Sequence, residues 1–509
     1  METSFQEFAA IEAVAHHHPW PRRLVEAEMW LDLAARLAAG EGTFLALWGD
    51  VGAVHLAFLD AGATAVPAVA SLACRDGTFP SVAALLACAI RPERAIRDLF
   101  GLTPIGMPDE RYWLDHGRWP EGRPFHPPEP AEASAAVVPP YRFLASTGPG
   151  LHQIPVGPVH AGIIEPGHFR FTCNGETVVR LEARLGYVHK GLDRLMAGAT
   201  IERAAKLAAR TSGDSTVAYS FAFARAVEAA LSVEAPPRSQ WLRALMAEIE
   251  RLANHLGDIG GICNDAAFSL MLAHCSSLRE QVLRTAETAF GHRLMMDAIC
   301  PGGVTVDVKK DGMAAVRGLL KVVRAQFAEL VELYDNTASL ADRTVATGRL
   351  SAALARDFAA GGFVGRASGR SFDARRDLPY APYDRLHFEV PVLTEGDVNA
   401  RIWIRIREVG ESLDLIEQIL AGMPSGPIAV DLLGHIMGVS EGLAVVEGFR
   451  GDILAWVRLA ADGTVERAYL RDPSWAHWPL LEAVIEGNIV ADFPLCNKSF
   501  NCSYSGHDL

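Results

Sequence analysis

The chain has 509 residues, and its eight cysteines, at 74, 88, 173, 263, 275, 300, 496 and 502, never fall at C-x-x-C spacing. The nearest two, Cys496 and Cys502, are six residues apart. The chain therefore lacks the usual thiolate pattern for building an iron–sulfur cluster by itself. Nothing points to an oxidising compartment, so the cysteines are expected to be free, buried thiols. No apolar run reaches the ~18–20 residues that cross a bilayer. The opening residues, Met-Glu-Thr-Ser-Phe-Gln-Glu, have neither a basic nor an apolar stretch, so no secretory signal is expected. Basic residues are in deficit: 47 Lys and Arg against 61 Asp and Glu leave a net charge of −14. That balance argues against general nucleic-acid binding, which needs a basic face. No G-x-G-x-x-G follows an expected strand, so the usual dinucleotide fingerprint is missing.

What remains is an ordinary globular composition, 50% hydrophobic and 21% charged, on a chain long enough for more than one domain. A cytoplasmic location is expected, with any membrane contact made through partner subunits. Prolines 120, 124, 127, 128, 130, 139 and 140 crowd one stretch together with Ala-Glu-Ala-Ser-Ala-Ala. Prolines remove backbone donors and disfavour helix, so this stretch is expected to link two domains. The division is placed at 1–125, a linker 126–148, and 149–509. In the first part, 22–37 has helical spacing, while 43–58 and 63–73 suit strands. The second part opens with turn-rich strands over 152–190. Helices are expected at 194–232, 238–261, 265–291, 311–344 and 399–421. In one of them Leu242, Leu245, Ile249, Leu252 and Leu256 recur at three- and four-residue steps and give a single apolar face. A β segment at 440–471, a helix at 475–487 and an irregular tail complete the reading. The fold class is α+β.

Several short motifs stand in a fixed order: Ile154-Pro-Val-Gly-Pro-Val-His160, Glu165-Pro-Gly-His-Phe169, Gly186-Tyr-Val-His-Lys-Gly-Leu-Asp193, Glu248-Ile-Glu-Arg-Leu-Ala-Asn-His255, Pro301-Gly-Gly303, Gly365-Arg-Ala-Ser-Gly369 and Tyr380-Ala-Pro-Tyr383. They run from 154 to 383, and the match they belong to covers nearly the whole chain. On them it strongly resembles the large subunit of group 4 membrane-bound [NiFe]-hydrogenases, of the formate hydrogenlyase and hydrogenase-4 type. Ahead of them, Glu93-Arg-Ala-Ile-Arg-Asp-Leu-Phe-Gly101 and Gly106-Met-Pro-Asp-Glu-Arg111 resemble the 30 kDa subunit of respiratory complex I. The resemblance implies a small α/β domain fused to a large, mainly helical domain of the hydrogenase and complex I 49 kDa kind.

It also implies a site. In that family two C-x-x-C pairs give four thiolates to nickel, two of them bridging to iron. The first pair belongs where Ser212-Gly-Asp-Ser215 stands and the second where Ser503-Tyr-Ser-Gly506 stands. Hard hydroxyl oxygens do not replace soft thiolates, glycine offers no ligand, and Cys502 lies one residue from the expected position. Nickel binding is therefore not expected. Local hydrogen bonding is the plainer use of Ser212 and Ser215. The chain stops three residues after Gly506, so it is expected to be made in mature form, without the proteolytic step that follows metal insertion in that family.

The complex I relatives place a quinone head between a histidine and a tyrosine. Here those positions fall on Ile164 and Gly213, while His160 matches an earlier histidine of the motif. Glu165 resembles a glutamate that moves protons at the site, or is a turn carboxylate before Pro166. His168 is a candidate beside it, or a structural histidine. Asp193 takes the place of an acid that helps bind magnesium, or starts a surface helix. Arg450 matches an arginine facing the metal, and a buried guanidinium requires a carboxylate partner. Arg375, Arg376 and Asp377 fit a charged network or a solvated loop, and His16-His-His18 reads as a loop. The implied partners are a small subunit with a [4Fe–4S] cluster on the hairpin and the 210–216 segment, a ferredoxin-like iron–sulfur subunit, and antiporter-like membrane subunits. The implied location is the cytoplasmic face of the inner membrane.

Overall fold

A computed structural model describes residues 4–60, 66–117, 119, 123–125, 139–161 and 164–509. Most of the expected linker, 126–138, lies outside the described residues. A four-stranded sheet forms the N-terminal part, in the order Arg22–Val25, Pro67–Ala73, Ala53–Asp60, Gly42–Asp50. Two helices, Ala27–Ala38 and Ile90–Phe100, belong to the same part. The expected helix from 22 begins only at Ala27, because Arg22–Val25 pairs in parallel with Val69–Leu72. The expected strand 43–58 is a hairpin that turns at Val51 and Gly52, with Gly52 at φ 70. A positive φ costs glycine nothing.

The C-terminal part starts with an antiparallel sheet of Leu151–Val156, His168–Asn174 and Thr177–Arg184. Helices follow at Thr216–Leu231, Pro237–Asp265, Ser269–Phe290, Lys310–Asp335 and Val398–Gly422. The Pro237–Asp265 helix begins with proline in its first turn, where a missing N–H costs no bond. Its Leu242, Leu245, Ile249, Leu252 and Leu256 are 0–1% exposed, each contributing about 1.5–3 kcal/mol by leaving water. The expected helix 194–232 is broken into Leu192–Met196, Ile201–Ala209 and Thr216–Leu231. Between the last two, Ser212–Ser215 makes a tight turn. The tail is not irregular: Phe493–Phe500 and Tyr504–Asp508 are helices.

A five-stranded sheet joins the two parts. Strands Ser440–Gly448, Gly451–Leu459 and Thr464–Arg471 form its centre, Ala199–Thr200 one edge and His17–His18 the other. The His16-His-His18 stretch is thus an edge strand, pairing with Glu441 and Gly442, rather than a loop. Gly442 lets this sheet lie directly on the backbone of the Thr216–Leu231 helix at Ala226. The cysteines form no disulfide, and all but Cys300 are buried. No helix among the described residues is long and apolar enough to cross a membrane.

Candidate functional site

Three short segments far apart in sequence meet at one point: the Ser212–Ser215 turn, the Gly448–Gly451 hairpin turn and the Ser503–Asp508 tail. The first is fixed by the helix that follows it. Glu250, on the neighbouring helix, accepts N–H bonds from Val217 at 2.7 Å and Ala218 at 3.1 Å, two of the donors that a helix start leaves free. Burial pushes Glu250 up to about 8, against those hydrogen bonds. Asn254 donates to the Asp214 carbonyl at 2.7 Å and holds the turn from below.

The second segment carries Arg450. Arg251 donates to the carbonyls of Glu447 and Gly448, at 2.8 and 2.9 Å, and fixes the hairpin end. Gly362, at φ 59, has the Arg450 carbonyl where a side chain would begin. From this turn the Arg450 guanidinium donates to both Asp214 oxygens, at 2.9 and 2.5 Å, to Ser215 Oγ at 3.1 Å, and to the Asn501 carbonyl at 2.5 Å. It also lies 4.5 Å from the Phe449 ring centroid. Burial opposes the charge on Asp214, yet Arg450 and the serine hydroxyls win and hold its pKa at about 2. The reciprocal attraction overcomes burial at Arg450 and raises its pKa.

The third segment closes the cluster. Ser503 accepts the Gly506 N–H at 2.9 Å and so caps the last helix. Its Oγ also reaches Ser212 Oγ at 3.5 Å, and Ser212 donates to Asp214 at 2.5 Å. Glu165, half-buried, accepts the Ser505 N–H at 3.2 Å. Behind them Tyr219 donates to Asp472 at 2.5 Å. The donor atoms gathered here are hydroxyls, carboxylates and one guanidinium, with Cys502 as the nearby thiol. Burial raises the Cys502 pKa, which keeps it protonated.

The structure thus brings Glu165, Ser212, Ser215, Arg450, Ser503 and Gly506 together, and leaves two candidates elsewhere. His168 begins its strand beside the Gly157 carbonyl, 3.2 Å away, and burial lowers its pKa. Asp193 is buried against Arg467 at 3.4 Å, and burial raises its pKa in spite of that charge. No group of three His, Cys, Asp or Glu residues among the described residues could hold a metal. Arg375 is buried in an ion network, while the Arg376–Asp377 pair is more exposed. Ile164 is 52% exposed, and a side chain at Gly213 would begin in open space. Sequence reasoning missed Asp214, although it stands inside the quoted Ser-Gly-Asp-Ser, and also Glu250, Tyr219 and Asp472. A buried arginine 236 residues away was the one signal that a carboxylate was owed.

Comparisons with known proteins show the family. The family model described as the 49 Kd subunit of respiratory-chain NADH dehydrogenase matches residues 265–438. That of the 30 Kd subunit matches 53–134. Formate hydrogenlyase subunit 5 of Escherichia coli (strain K12) is 33% identical over 84% of this chain and 77% of its own length. Hydrogenase-4 component G of the same organism is 32% identical over 84% of this chain and 76% of its own. Among solved structures, one described as the membrane-bound sulfane sulfur reductase, an archaeal respiratory membrane complex, aligns at TM-score 0.66 and 27% identity. The match covers 71% of this chain and 99% of that one. The chain belongs to the group 4 [NiFe]-hydrogenase large-subunit family, alongside formate hydrogenlyase subunit 5 and hydrogenase-4 component G, and carries the 30 Kd and 49 Kd complex I domains.

Proposed function

We propose that this chain is the large subunit of a membrane-associated, complex-I-like oxidoreductase complex. In this reading it takes part in electron transfer coupled to ion movement without a nickel–iron centre. The observation that carries the reading is the Arg450–Asp214 pair, which fills the point where the three segments meet. The positions that the resemblance assigns to the four nickel thiolates hold Ser212, Ser215, Ser503 and Gly506. Their hydroxyls are already committed to Asp214, to each other and to the Gly506 N–H. Asp472 Oδ2 stands 2.5 Å from where a Gly506 side chain would begin. A soft-sulfur centre does not fit this donor set, and no step of the proposed function runs through one.

The domain division at 1–125, 126–148 and 149–509 belongs to the same reading. So do the partners: a small subunit with a [4Fe–4S] cluster, a ferredoxin-like iron–sulfur subunit and antiporter-like membrane subunits on the cytoplasmic face. The second reading is a non-catalytic scaffold joining a soluble module to membrane subunits. Ile164 and Gly213 favour it, because they stand at the two positions where quinone contacts are expected.

Cysteines restored at 212, 215, 503 and 506 together test the reading. The variant complex is expected to bind no nickel and evolve no hydrogen, since the Arg450–Asp214 pair and its surroundings remain. Stoichiometric nickel or hydrogen evolution in that variant contradicts the part given to the Arg450–Asp214 pair, and one nickel per copy of the unaltered chain contradicts the reading itself.

A further inference from the structure

Behind the hairpin turn of Arg450 lies a second polar system that the function above does not use. The facing sides of the Pro237–Asp265 and Val398–Gly422 helices are charged where a helix pair would ordinarily be apolar. Glu248, Arg251 and His255 on one meet Glu408 and Ser412 on the other. At its centre is Arg366, which is 0% exposed and has three carboxylates around it: Glu408 at 2.8 Å, Glu447 at 2.9 Å and Asp373 at 3.4 Å. Two of the three have further help. Asp373 is paired with Arg375 at 2.7 Å, and Glu408 with His255 at 2.7 Å. Among the described residues Glu447 has no second ion pair; its other partner is the Ala374 N–H at 2.9 Å.

Other charges face Glu447 without pairing to it. Asp452 is opposite it in the sheet register and is bound to Arg471. Arg370 donates to the Ala360 carbonyl, Arg225 to the Val445 carbonyl and Arg251 to the Glu447 carbonyl. Across the network three guanidiniums, Arg251, Arg366 and Arg375, meet four buried carboxylates, Glu248, Asp373, Glu408 and Glu447, and an uncompensated buried charge takes up a proton instead. His255 is the alternative seat, but among the described residues its Nδ1 has no acceptor, so a protonated ring would bury an unsatisfied N–H.

The system also has a way out. Arg375 and Tyr383 both bind Glu248, at 3.0 and 2.7 Å, and both line an open surface cleft of about 860 Å³. Glu389, Glu411, Asp414 and Glu417 stand on the same cleft, and such a set of carboxylates concentrates cations, protons included, at its mouth.

We propose that Glu447 is a buried proton-holding site, filled from this cleft past Tyr383 and Arg375, three residues from the arginine that closes the serine cluster. Burial, then the neighbouring Asp373, push Glu447 up to about 7 despite Arg366, in keeping with the geometry. The site is a property of the chain alone and stands whether or not the complex moves electrons.

Infrared spectroscopy of the full-length protein, labelled with carbon-13 in the glutamate carboxyls, reads it. The expected result is a protonated-glutamate band that disappears as pH rises through about 7 and is lost in Glu447→Gln. Glu93 and Glu250 are pushed up to about 7 and about 8 by burial, so the readout is the difference between Glu447→Gln and the parent. Should that variant not fold, the Glu93→Gln/Glu250→Gln protein with Glu447 intact must retain a glutamate band titrating near neutrality. Its absence, or a parent band unchanged by Glu447→Gln, overturns the proposal. Tyr383→Phe is expected to slow the band's appearance after a pH jump and leave its final size unchanged. An unaltered rate overturns the route.

Discussion

Asp214 and Arg450 stand 236 residues apart in the chain, and each answers the other's burial. Around them, single residues decide what the site can do. Glu165 is half-buried and tied to the tail through the Ser505 N–H. Glu165→Gln is expected to lower the proton-linked activity of the assembled complex while leaving assembly unchanged. Turnover and subunit content measured side by side check this, and unaltered turnover makes Glu165 a turn residue. Glu250 permits a sharper statement. Burial raises its folded pKa from 4.5 to about 8, so its neutral form belongs to the folded state. The stability linked to that proton is complete below the ordinary value and is lost as pH rises through about 8. Glu250→Gln imitates the neutral form. Its stability relative to the parent is therefore expected to improve as pH goes from 5 to 9 in denaturant titrations, roughly by the linkage of such a shift. A pH-independent difference between the two proteins contradicts the assignment.

Helices and turns set the places of these residues, and the two kinds of element were legible to different degrees. The Pro237–Asp265 and Val398–Gly422 helices could be read nearly to their ends, because an apolar face repeats along them. The Arg22–Val25 strand was hidden, since Trp30, Leu33 and Leu37 continue a helical spacing and the partner strand lies more than 40 residues on. The tail helices were hidden because they are only 8 and 5 residues long, and tertiary contacts stabilise pieces of that length. The site itself was partly legible: five of the six residues brought together, all but Arg450, stand in quoted motifs, but the ion pair that fills it depends on a long-range meeting of turns. The hairpin turn rests on Gly362, whose φ of 59 and contact with the Arg450 carbonyl leave no room for a side chain. Gly362→Ala is expected to cost at least about 1–3 kcal/mol through backbone strain and to displace Arg450. Gly318→Ala is the matched control, on the exposed face of a helix with open space around it. It is expected to stabilise by roughly 0.5–1 kcal/mol. Thermal melts of the two variants, moving in opposite directions, check the pair.

At the scale of the whole molecule, the N-terminal sheet is built onto the C-terminal one. Trp48 stacks on Tyr469 with ring centroids 5.2 Å apart and lies 5.7 Å from Trp456. Arg22 binds Glu441 at 2.7 Å, and Arg458 binds Asp50. Trp48 is 1% exposed, so Trp48→Ala is expected to cost about 3–5 kcal/mol and to loosen the N-terminal part from the rest. Limited proteolysis and the unfolding midpoint both read this, and a midpoint equal to the parent's contradicts it. In the proposed reading, the few residues at the middle of this interlocked chain decide whether a metal centre is kept. The most direct test of that claim is the nickel and iron content of the intact complex, purified from its membrane and expressed per copy of this chain. Iron without nickel is the predicted result, since in the proposed reading the iron comes from partner clusters and the serine cluster offers nickel no thiolates. One nickel per chain contradicts the account.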